Sequence, residues 1–295
     1  MTTPLLSDIT TRLAAISDTP SLDASVLIAH ILNKPRTWVM AHLELTLTTE
    51  QQTLLDHSLE RLERGESFPY VLGDWDFFGL EFDITPDVLI PRPETELLVE
   101  KAIAWLQESS VRRRVADVGT GSGVIAISIA THFPDAYVLA TDISHEALEV
   151  AQKNAIKFDV ISRIDFVQCD LLPHPQSLSL RSTPEGSRDR GEGVRVFDLI
   201  CANLPYIPTE TLSNLPIYGR EPTLALDGGT DGLELIRRLL HIAPGWLTLD
   251  GKMLLEIEAT RGAQALEIAY NGFPQAAIHL HQDLAGQDRL LEITL

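Results

Sequence analysis

The alternation of short apolar runs with helical stretches after residue 113 constrains the fold of this chain more than any other feature of its sequence. The runs that predict strands are bounded by turn residues and cover 115–118, 137–141, 164–168, 197–202 and 252–257. The stretches with helical character between them cover 122–132, 144–158, 230–243 and 261–270. Strands that alternate with helices build a doubly wound, mostly parallel sheet, so the pattern predicts an α/β fold. Two further runs, 277–280 and 289–293, predict an antiparallel hairpin near the end of the sequence.

Residues 1–73 carry helical patterns and predict a small helical domain. Its best-marked helix has Thr49 and Gln52 at the spacing of a capping box, and Gly65 where a C-cap glycine belongs. The apolar stripe of that helix is Leu54, Leu55, Leu59 and Leu62. Helical bundles of this size often have no chemistry of their own, so we interpret the domain as a substrate-docking module.

A change of composition separates this domain from the α/β part. Residues 74–90 are rich in aromatic residues, glycine and proline, and predict a β-hairpin linker with strands near 75–78 and 80–84. Residues 91–295 form the predicted α/β domain, whose first helix should begin at Glu94. Within it, residues 173–193 are dominated by serine, proline, glycine and arginine, so we expect a flexible insertion without a catalytic role.

The charge balance argues against one large class of functions. The sequence has 23 lysine and arginine residues against 42 aspartate and glutamate residues, a formal net charge of −19 at pH 7. Proteins that hold nucleic acid or an anionic membrane use clustered cations, so we expect no stable binding to either. Two cysteines, Cys169 and Cys201, are too few for a disulfide framework. Because no secretory signal or membrane-length apolar run is apparent, we expect a cytoplasmic protein.

A glycine loop follows the first strand of the α/β part and consists of Gly119, Thr120, Gly121, Ser122 and Gly123. Glycines let the backbone turn sharply and let a ligand approach the amides at the start of the next helix. The second strand ends at Asp142, where an acidic side chain can accept hydrogen bonds from both hydroxyls of a ribose. Both a dinucleotide and S-adenosylmethionine present a ribose at that place, so the loop alone fits either.

Two further observations bear on this ligand. The third glycine comes one residue earlier than in the dinucleotide pattern GxGxxG. Asp170 and Leu171 follow the third strand, where a side chain can reach an adenine ring. A turn or a helix cap is the alternative role for Asp170.

The strand at 197–202 ends directly in Asn203-Leu204-Pro205-Tyr206, at the sheet edge where parallel α/β folds place their chemistry. The Asn203 side-chain oxygen and the Leu204 carbonyl can both accept hydrogen bonds from one planar NH2 group. Pro205 stiffens this loop, and the Tyr206 ring can cover a planar group. The segment therefore predicts a site for an amide or an exocyclic amine.

This NLPY segment resembles the (D/N/S)PPY motif of amino-methyltransferases, which move a methyl group from S-adenosylmethionine to nitrogen conjugated to a planar system. It departs from the motif by carrying Leu204 where most members carry proline. The first proline of the motif contributes chiefly its carbonyl, which leucine also has. The departure therefore bears on the rigidity of the loop and leaves the acceptor in place.

Further motifs resemble the release-factor glutamine methyltransferases, the HemK/PrmC family, over nearly the whole chain. They are IPRPETE at 90–96, YVLG at 70–73, FFG at 77–79, Glu221-Pro222, LDGGTDG at 226–232 and DLAGQDR at 283–289. IPRPETE is far more specific than NLPY. The departures are Leu204, Glu258 in place of a frequent glycine, and the insertion at 173–193.

The resemblance implies a Rossmann-like class I S-adenosylmethionine-dependent methyltransferase sheet, with S-adenosylmethionine as the cofactor. It implies methylation of the glutamine in the GGQ motif of class 1 peptide-chain release factors, which gives N5-methylglutamine. The implied catalytic and substrate-binding residues are Asn203, Leu204, Pro205 and Tyr206. The implied cofactor contacts are the glycine loop, Asp142, Asp170, Leu171 and Asn203. We expect the protein to act as a monomer.

Several interpretations stay open on the sequence. Arg92 and Glu94 can close over the bound cofactor and substrate, or form a salt bridge to the linker. His279 and His281 alternate on one strand face without a third ligand in view, so we predict no metal site. The competing functions are an NAD oxidoreductase, which leaves NLPY and IPRPETE unexplained, a nucleic-acid aminomethyltransferase, and a non-catalytic scaffold with a methyltransferase fold.

Overall fold

The computed structural model describes residues 4–42, 44–108, 114–174 and 196–295. The chain divides into two compact units, Met1–Asp74 and Trp75–Leu295. The predicted insertion at 173–193 lies outside the described residues from position 175 onward.

The first unit is helical, as its sequence pattern predicts. Its helices are α1 (Pro4–Leu13), α2 (Pro20–Leu32), α3 (Arg36–Ala41), α4 (Thr49–Glu63) and α5 (Phe68–Leu72). They enclose one apolar core, formed chiefly by Leu6, Ile9, Leu13, Leu27, Ile28, Leu55, Leu59 and Leu62.

The start of α4 corrects two details of the sequence prediction. The capping box is formed by Thr48 and Gln51, one residue earlier than predicted, because the sequence TTEQQ offers the same spacing twice. Thr48 has an extended backbone that lets its hydroxyl reach the Gln51 N–H, whereas Thr49 is already helical. Leu54 is 55% exposed and lies off the buried stripe, since neighbouring helix positions face different directions.

The hairpin at the start of the second unit consists of β1 (Asp74–Phe77) and β2 (Leu80–Asp83). Phe77 and Phe82 are buried in the core of this unit, and the Phe82 ring packs against Phe158, which follows α8. Asn154, itself fully buried, accepts from the Asp83 N–H and donates to the Asp83 and Ser122 carbonyls. The Asn154 side chain therefore links the hairpin to the glycine loop by hydrogen bonds.

The remaining strands form one seven-stranded sheet in the order β5-β4-β3-β6-β7-β9-β8. They are β3 (Arg114–Val118), β4 (Tyr137–Asp142), β5 (Ile164–Gln168), β6 (Phe197–Ala202), β7 (Leu247–Glu256), β8 (Ala277–Gln282) and β9 (Asp288–Thr294). The pairs from β5 to β7 are parallel, and β9 joins β7 and β8 antiparallel. The sheet is the predicted Rossmann-like methyltransferase sheet, and its connectivity reverses direction between β3 and β6.

Helices cover both faces of this sheet. They are α6 (Glu96–Gln107), α7 (Val124–His132), α8 (His145–Lys157), α9 (Thr209–Leu212), α10 (Glu234–Ile242) and α11 (Gly262–Gly272). Alternate strand residues face opposite sides, so Val115 and Leu199 belong to one apolar core while Ala116 and Ile200 belong to the other. Within the described part of the chain, none of the helices combines the length and apolar character that crossing a bilayer requires.

One helix begins later than predicted, and the difference shapes the site. The helix expected from Glu94 begins as a short 3-10 turn, Pro93–Thr95, and becomes α6 only at Glu96. Two prolines, Pro91 and Pro93, hold the preceding backbone extended, since proline disfavours helical geometry in the residue before it. Thr95 consequently lies at the very start of the helix, with its side chain buried.

Candidate active site

Strand register brings the predicted site loops together. Val118 at the end of β3 pairs with Thr141 of β4 on one side and with Ala202 of β6 on the other. The residues that follow these strand ends are therefore neighbours at the carboxyl edge of the sheet, where it reverses direction. Open α/β sheets bind their ligands at such an edge.

A cavity of about 520 Å³ lies at this edge. This size suits a cofactor-sized molecule. Most of the predicted site residues line it: Arg92, Gly119, Thr120, Gly121, Ser122, Asp142, Asp170, Leu171, Asn203, Leu204 and Pro205. Gly123, Tyr206 and Glu94 do not line it, so the structure places three of the predicted residues behind or beside the cavity.

The glycine loop wraps the end of β4. The N–H groups of Gly119 and Thr120 both donate to the Thr141 carbonyl, at 2.9 and 2.8 Å. Gly119 has a φ of +76°, and a Cβ there would lie 3.0 Å from the Leu204 side chain. A side chain at this position is therefore strained by the positive φ, and its Cβ would also crowd the Leu204 side chain.

Gly123 serves packing between helices. A Cβ at this position would lie 2.8 Å from the Ile127 side chain and 3.2 Å from that of Ala151 on α8. The absence of a side chain at Gly123 therefore lets α7 and α8 pack closely behind the loop, and its contact with the cofactor stays a prediction.

Asp142 is positioned by backbone donors and keeps spare acceptor capacity. Its two carboxylate oxygens accept from the Gly121 and Ser144 N–H groups, each at 2.9 Å. Burial raises the pKa of this carboxyl, and the backbone hydrogen bonds oppose that rise. A carboxylate has about four lone-pair sites, so Asp142 can accept further hydrogen bonds from two ribose hydroxyls.

Asp170 has a partner that the sequence did not indicate. Its carboxylate pairs with the Arg238 guanidinium of α10 at 2.5 Å, and both side chains are about half exposed. The neighbouring Leu171 has a φ of +62°, and its carbonyl accepts from the Thr141 hydroxyl at 2.6 Å. Both residues of this ion pair line the cavity, and Asp170 lies in the bend that follows β5.

Asp117 is a buried acid beneath the glycine loop that sequence reasoning missed. Its Oδ2 accepts from the Thr120 hydroxyl at 2.6 Å and from the Ala126 N–H at 3.0 Å. Its Oδ1 has no hydrogen-bond partner among the described residues. Burial raises the pKa of this carboxyl to about 7. A buried acceptor without a partner can serve a polar group of a bound ligand.

The NLPY loop is held from behind by a chain of side-chain hydrogen bonds. The Asn203 Nδ2 donates to Thr95 Oγ1 at 3.0 Å, and the Thr95 hydroxyl donates to Glu256 Oε2 at 2.6 Å. The Tyr206 hydroxyl donates to the other carboxylate oxygen of Glu256 at 3.2 Å. Leu204 is buried, so its side chain anchors the loop in the core where the family motif has proline.

Thr95 and Glu256 are therefore site residues that sequence reasoning missed. Glu256 is 1% exposed, and burial raises the pKa of its carboxyl to about 7. Burial also raises the pKa of the Tyr206 phenol. A signal existed for Glu256, since it is a charged residue within an apolar strand. Thr95 lies inside the IPRPETE motif, beside the charged Glu94 and Glu96.

Arg92 forms a salt bridge, but its partner is not in the linker. The guanidinium contacts Glu221 at 2.7 Å, and the other oxygen of this buried carboxylate accepts from the Ile90 N–H at 3.1 Å. Glu94 is exposed. These contacts join the IPRPETE segment to Glu221-Pro222.

The LDGGTDG segment braces the NLPY loop. The Ile207 N–H donates to the Leu226 carbonyl at 3.0 Å, and the Gly228 N–H donates to the Ile207 carbonyl at 2.8 Å. A Cβ on Gly228 would lie 2.6 Å from the Tyr206 Cα and 2.7 Å from the Pro205 carbonyl oxygen. Only glycine permits this approach of two backbones.

Gly228→Ala is accordingly expected to lower both stability and turnover. Backbone atoms must move to admit the new methyl group, at a cost of about 1–3 kcal/mol in the free energy of unfolding. Gly245→Ala is the matched control, since a Cβ there meets nothing within 4 Å. Thermal unfolding and methyl-transfer assays of the two variants check this, and equal behaviour of both would contradict the bracing role.

Two domain families match separate parts of this chain. Residues 4–73 match the PrmC N-terminal domain, and residues 94–178 match the methyltransferase small domain.

Proteins of known structure and curated relatives add to these matches. The hMettl16 catalytic domain, solved in complex with hairpin 6 of the MAT2A 3′UTR, has a TM-score of 0.51 and 17% identity, and the alignment covers 86% of this chain and 84% of that one. This likeness shows the fold alone. The release factor glutamine methyltransferase of Moorella thermoacetica is 37% identical, covering 96% of this chain and 95% of its own. That of Coxiella burnetii is 34% identical, with the same coverage of 96% and 95%. With such identity over nearly its whole length, the chain belongs to the release factor glutamine methyltransferase family.

Proposed function

We propose that this protein transfers a methyl group from S-adenosylmethionine to the side-chain amide nitrogen of the glutamine in the GGQ motif of class 1 release factors, giving N5-methylglutamine. The observation that carries this proposal is the orientation of Asn203. Its Nδ2 is bound to Thr95 behind the loop, which leaves its Oδ1 for a ligand. The site therefore offers an acceptor to an NH2 group, which is what a carboxamide presents.

The residues that line the cavity fit S-adenosylmethionine. Asp142 has lone pairs for two ribose hydroxyls, and Asp170 borders the cavity beside it. Asp117 does not line the cavity, but it supports the glycine loop from beneath, since its Oδ2 accepts from the Thr120 hydroxyl and the Ala126 N–H. When bound, the cofactor supplies a methyl group attached to a positively charged sulfur, which a nitrogen nucleophile can accept.

The NLPY loop supplies what a carboxamide nitrogen lacks. Such a nitrogen is a poor nucleophile because its lone pair is delocalised into the carbonyl group. The Asn203 Oδ1 and the Leu204 carbonyl, as acceptors for its two protons, hold the nitrogen in place and stabilise the positive charge that develops on it. Holding the reacting groups at attack distance can lower the barrier by about 7–11 kcal/mol. In this proposal the Tyr206 ring, whose hydroxyl is bound to Glu256, covers the planar amide from beside the cavity.

A general base is not needed for this reaction. An amide protonated on nitrogen is a strong acid and gives up its proton to water or to a nearby carbonyl. The two acceptors hold the two NH2 protons, of which one leaves after methyl transfer and one stays on the methylated nitrogen.

The helical domain at residues 1–73 docks the release factor in this proposal, and residues 74–90 link it to the 91–295 methyltransferase domain. The GGQ loop must enter the site as part of a folded protein, so free glutamine is a poor substrate. We further propose that the protein is a cytoplasmic monomer without stable binding to nucleic acid or membrane. The net charge of −19 supports the absence of stable binding to nucleic acid or membrane, because proteins that bind phosphate groups use clustered cations.

Release-factor binding should depend only weakly on salt. An acidic enzyme gains little long-range attraction for a partner that is not strongly basic, so docking rests on local apolar and polar complementarity. We expect the Kd to change less than about threefold between about 50 and 300 mM salt, where exposed charges become screened. Calorimetric titration at several salt concentrations checks this, and a steep loss of affinity would point to docking by charge.

A transfer assay separates this proposal from its competitors. The protein is incubated with S-adenosylmethionine carrying a labelled methyl group and with a release factor, DNA or ribosomal RNA. Label in the release factor supports the proposal. Label only in nucleic acid would favour an aminomethyltransferase of that class, and absence of label from all three would favour a non-catalytic scaffold.

A further inference from the structure

Four side chains from three separate parts of the methyltransferase domain meet behind the NLPY loop. Thr95 comes from the turn before α6, Glu256 from the end of β7, and Asn203 and Tyr206 from the loop after β6. Thr95 and Glu256 are 161 residues apart in the chain, yet their oxygens are 2.6 Å apart and both side chains are buried. A polar cluster so deeply buried is costly unless every member is satisfied.

The hydrogen-bond roles in this cluster follow from counting protons. An ionised Glu256 can only accept, so it requires the one hydroxyl proton of Thr95 and the phenolic proton of Tyr206. Thr95 Oγ1 then has only lone pairs left to offer Asn203. The group that Asn203 turns toward Thr95 must therefore be its NH2, and its carbonyl oxygen must face away from the cluster.

We propose that Glu256, acting through Thr95, is the positioning residue that sets the orientation of the Asn203 amide. This inference rests on the proposed function, since the orientation matters only if Asn203 must accept a hydrogen bond from a substrate NH2. An amide turned the other way would present its own NH2 to the substrate, and two donors repel. Glu256, which does not contact the substrate, thus determines that Asn203 presents its oxygen and not its NH2 group to the substrate.

This orientation of the Asn203 amide depends on Glu256 being ionised. The charged and titratable groups around it are Arg289 on β9, Tyr206 after β6 and Glu94 in the turn before α6. Arg289 favours the ionised form, whereas burial and Glu94 disfavour it, and the pKa is raised to about 7. Arg289 is itself held by Asp283 in the turn between β8 and β9, at 3.1 Å. The C-terminal hairpin therefore supports the ionised state.

Protonation of Glu256 reverses the chain of donors. A protonated carboxyl can donate to Thr95 Oγ1, which frees the threonine proton for the Asn203 oxygen and lets the amide turn over. The ionised form exists above the pKa, so kcat is expected to fall as the pH drops below about 7, by about tenfold per pH unit in the limiting region. Asp117 titrates in the same range. Because Asp117 is unchanged in Glu256→Gln, only an acid limb that is lost in that variant is assigned to Glu256.

The first test compares Thr95→Val with Thr95→Ser. Valine removes the hydroxyl at nearly constant volume, whereas serine keeps it. We expect Thr95→Val to lower kcat about 10- to 100-fold, with the Kd for the release factor within about threefold of wild type. Thr95→Ser should keep kcat within about threefold of wild type. Equal losses in both variants, or a Thr95→Val enzyme with normal kcat, would overturn the inference.

The second test follows kcat from pH 6 to pH 8 in the wild type and in Glu256→Gln. Glutamine has nearly the same shape and does not titrate, so the acid limb of the wild-type profile should be absent from the variant. A wild-type profile that is flat over this range, or an acid limb that persists in Glu256→Gln, would refute the positioning role. A wild-type enzyme that methylates no release factor at any pH would instead refute the proposed function, so the two failures are distinguishable.

Discussion

Asn203→Ala is expected to lower kcat on an intact release factor by about 10²- to 10³-fold, the usual loss when one preorganised polar group is removed from a developing charge. The variant loses the acceptor that holds the substrate NH2 and leaves Thr95 with one hydrogen bond fewer. Cofactor affinity should change much less, because Asp142 and the glycine loop are untouched. Single-turnover methyl transfer and calorimetric titration of S-adenosylmethionine measure the two effects separately.

Asn271→Ala is the matched control for this variant. Asn271 is exposed near the end of α11, so the same substitution there should leave kcat unchanged. Near-normal turnover by Asn203→Ala would remove Asn203 from the mechanism. An equal loss of kcat and of cofactor affinity would mean that Asn203 serves the cofactor instead of the substrate amide.

Asp142→Ala should weaken S-adenosylmethionine binding by at least about 100-fold, since two hydrogen bonds to a charged group are lost and each contributes about 1.5–3 kcal/mol. The variant loses the proposed ribose acceptor and also the partner of the Gly121 N–H, so the glycine loop becomes less well held. Turnover at saturating cofactor should recover more completely than in Asn203→Ala. Titration of the cofactor together with thermal unfolding checks this result.

Asp135→Ala supplies the control, because Asp135 is an exposed aspartate in the turn between α7 and β4. It removes the same charge from the same domain and should leave cofactor affinity unaltered. Should Asp142→Ala bind S-adenosylmethionine as tightly as this control does, the ribose site would have to lie elsewhere.

The sequence was sufficient to predict the site residues that lie directly at or after the end of a strand. The glycine loop, Asp142 and Asn203 all come directly after an apolar run, and the parallel register then makes them neighbours. The family inferred from IPRPETE and NLPY is confirmed by relatives that cover nearly the whole chain. Hydrophobic periodicity and turn residues indicate where each strand ends, because both patterns depend only on residues that are close together in the sequence.

The parts that depend on pairing between distant segments could not be predicted. The Thr95–Glu256 and Arg92–Glu221 contacts join segments more than a hundred residues apart. A single sequence shows which residues are charged but does not show which of them meet. Local ambiguity causes the smaller errors, as at Thr48 and Thr49, where two equal capping patterns stand side by side.

Peptide mass analysis of a release factor treated with this enzyme and S-adenosylmethionine tests the central claim most directly. The proposed function predicts a gain of one methyl group on the peptide that contains GGQ, with fragment ions that locate it on the glutamine side chain. A release factor in which that glutamine is replaced by glutamate should gain none. Methylation at another residue, or equal methylation of the substituted release factor, would contradict the account.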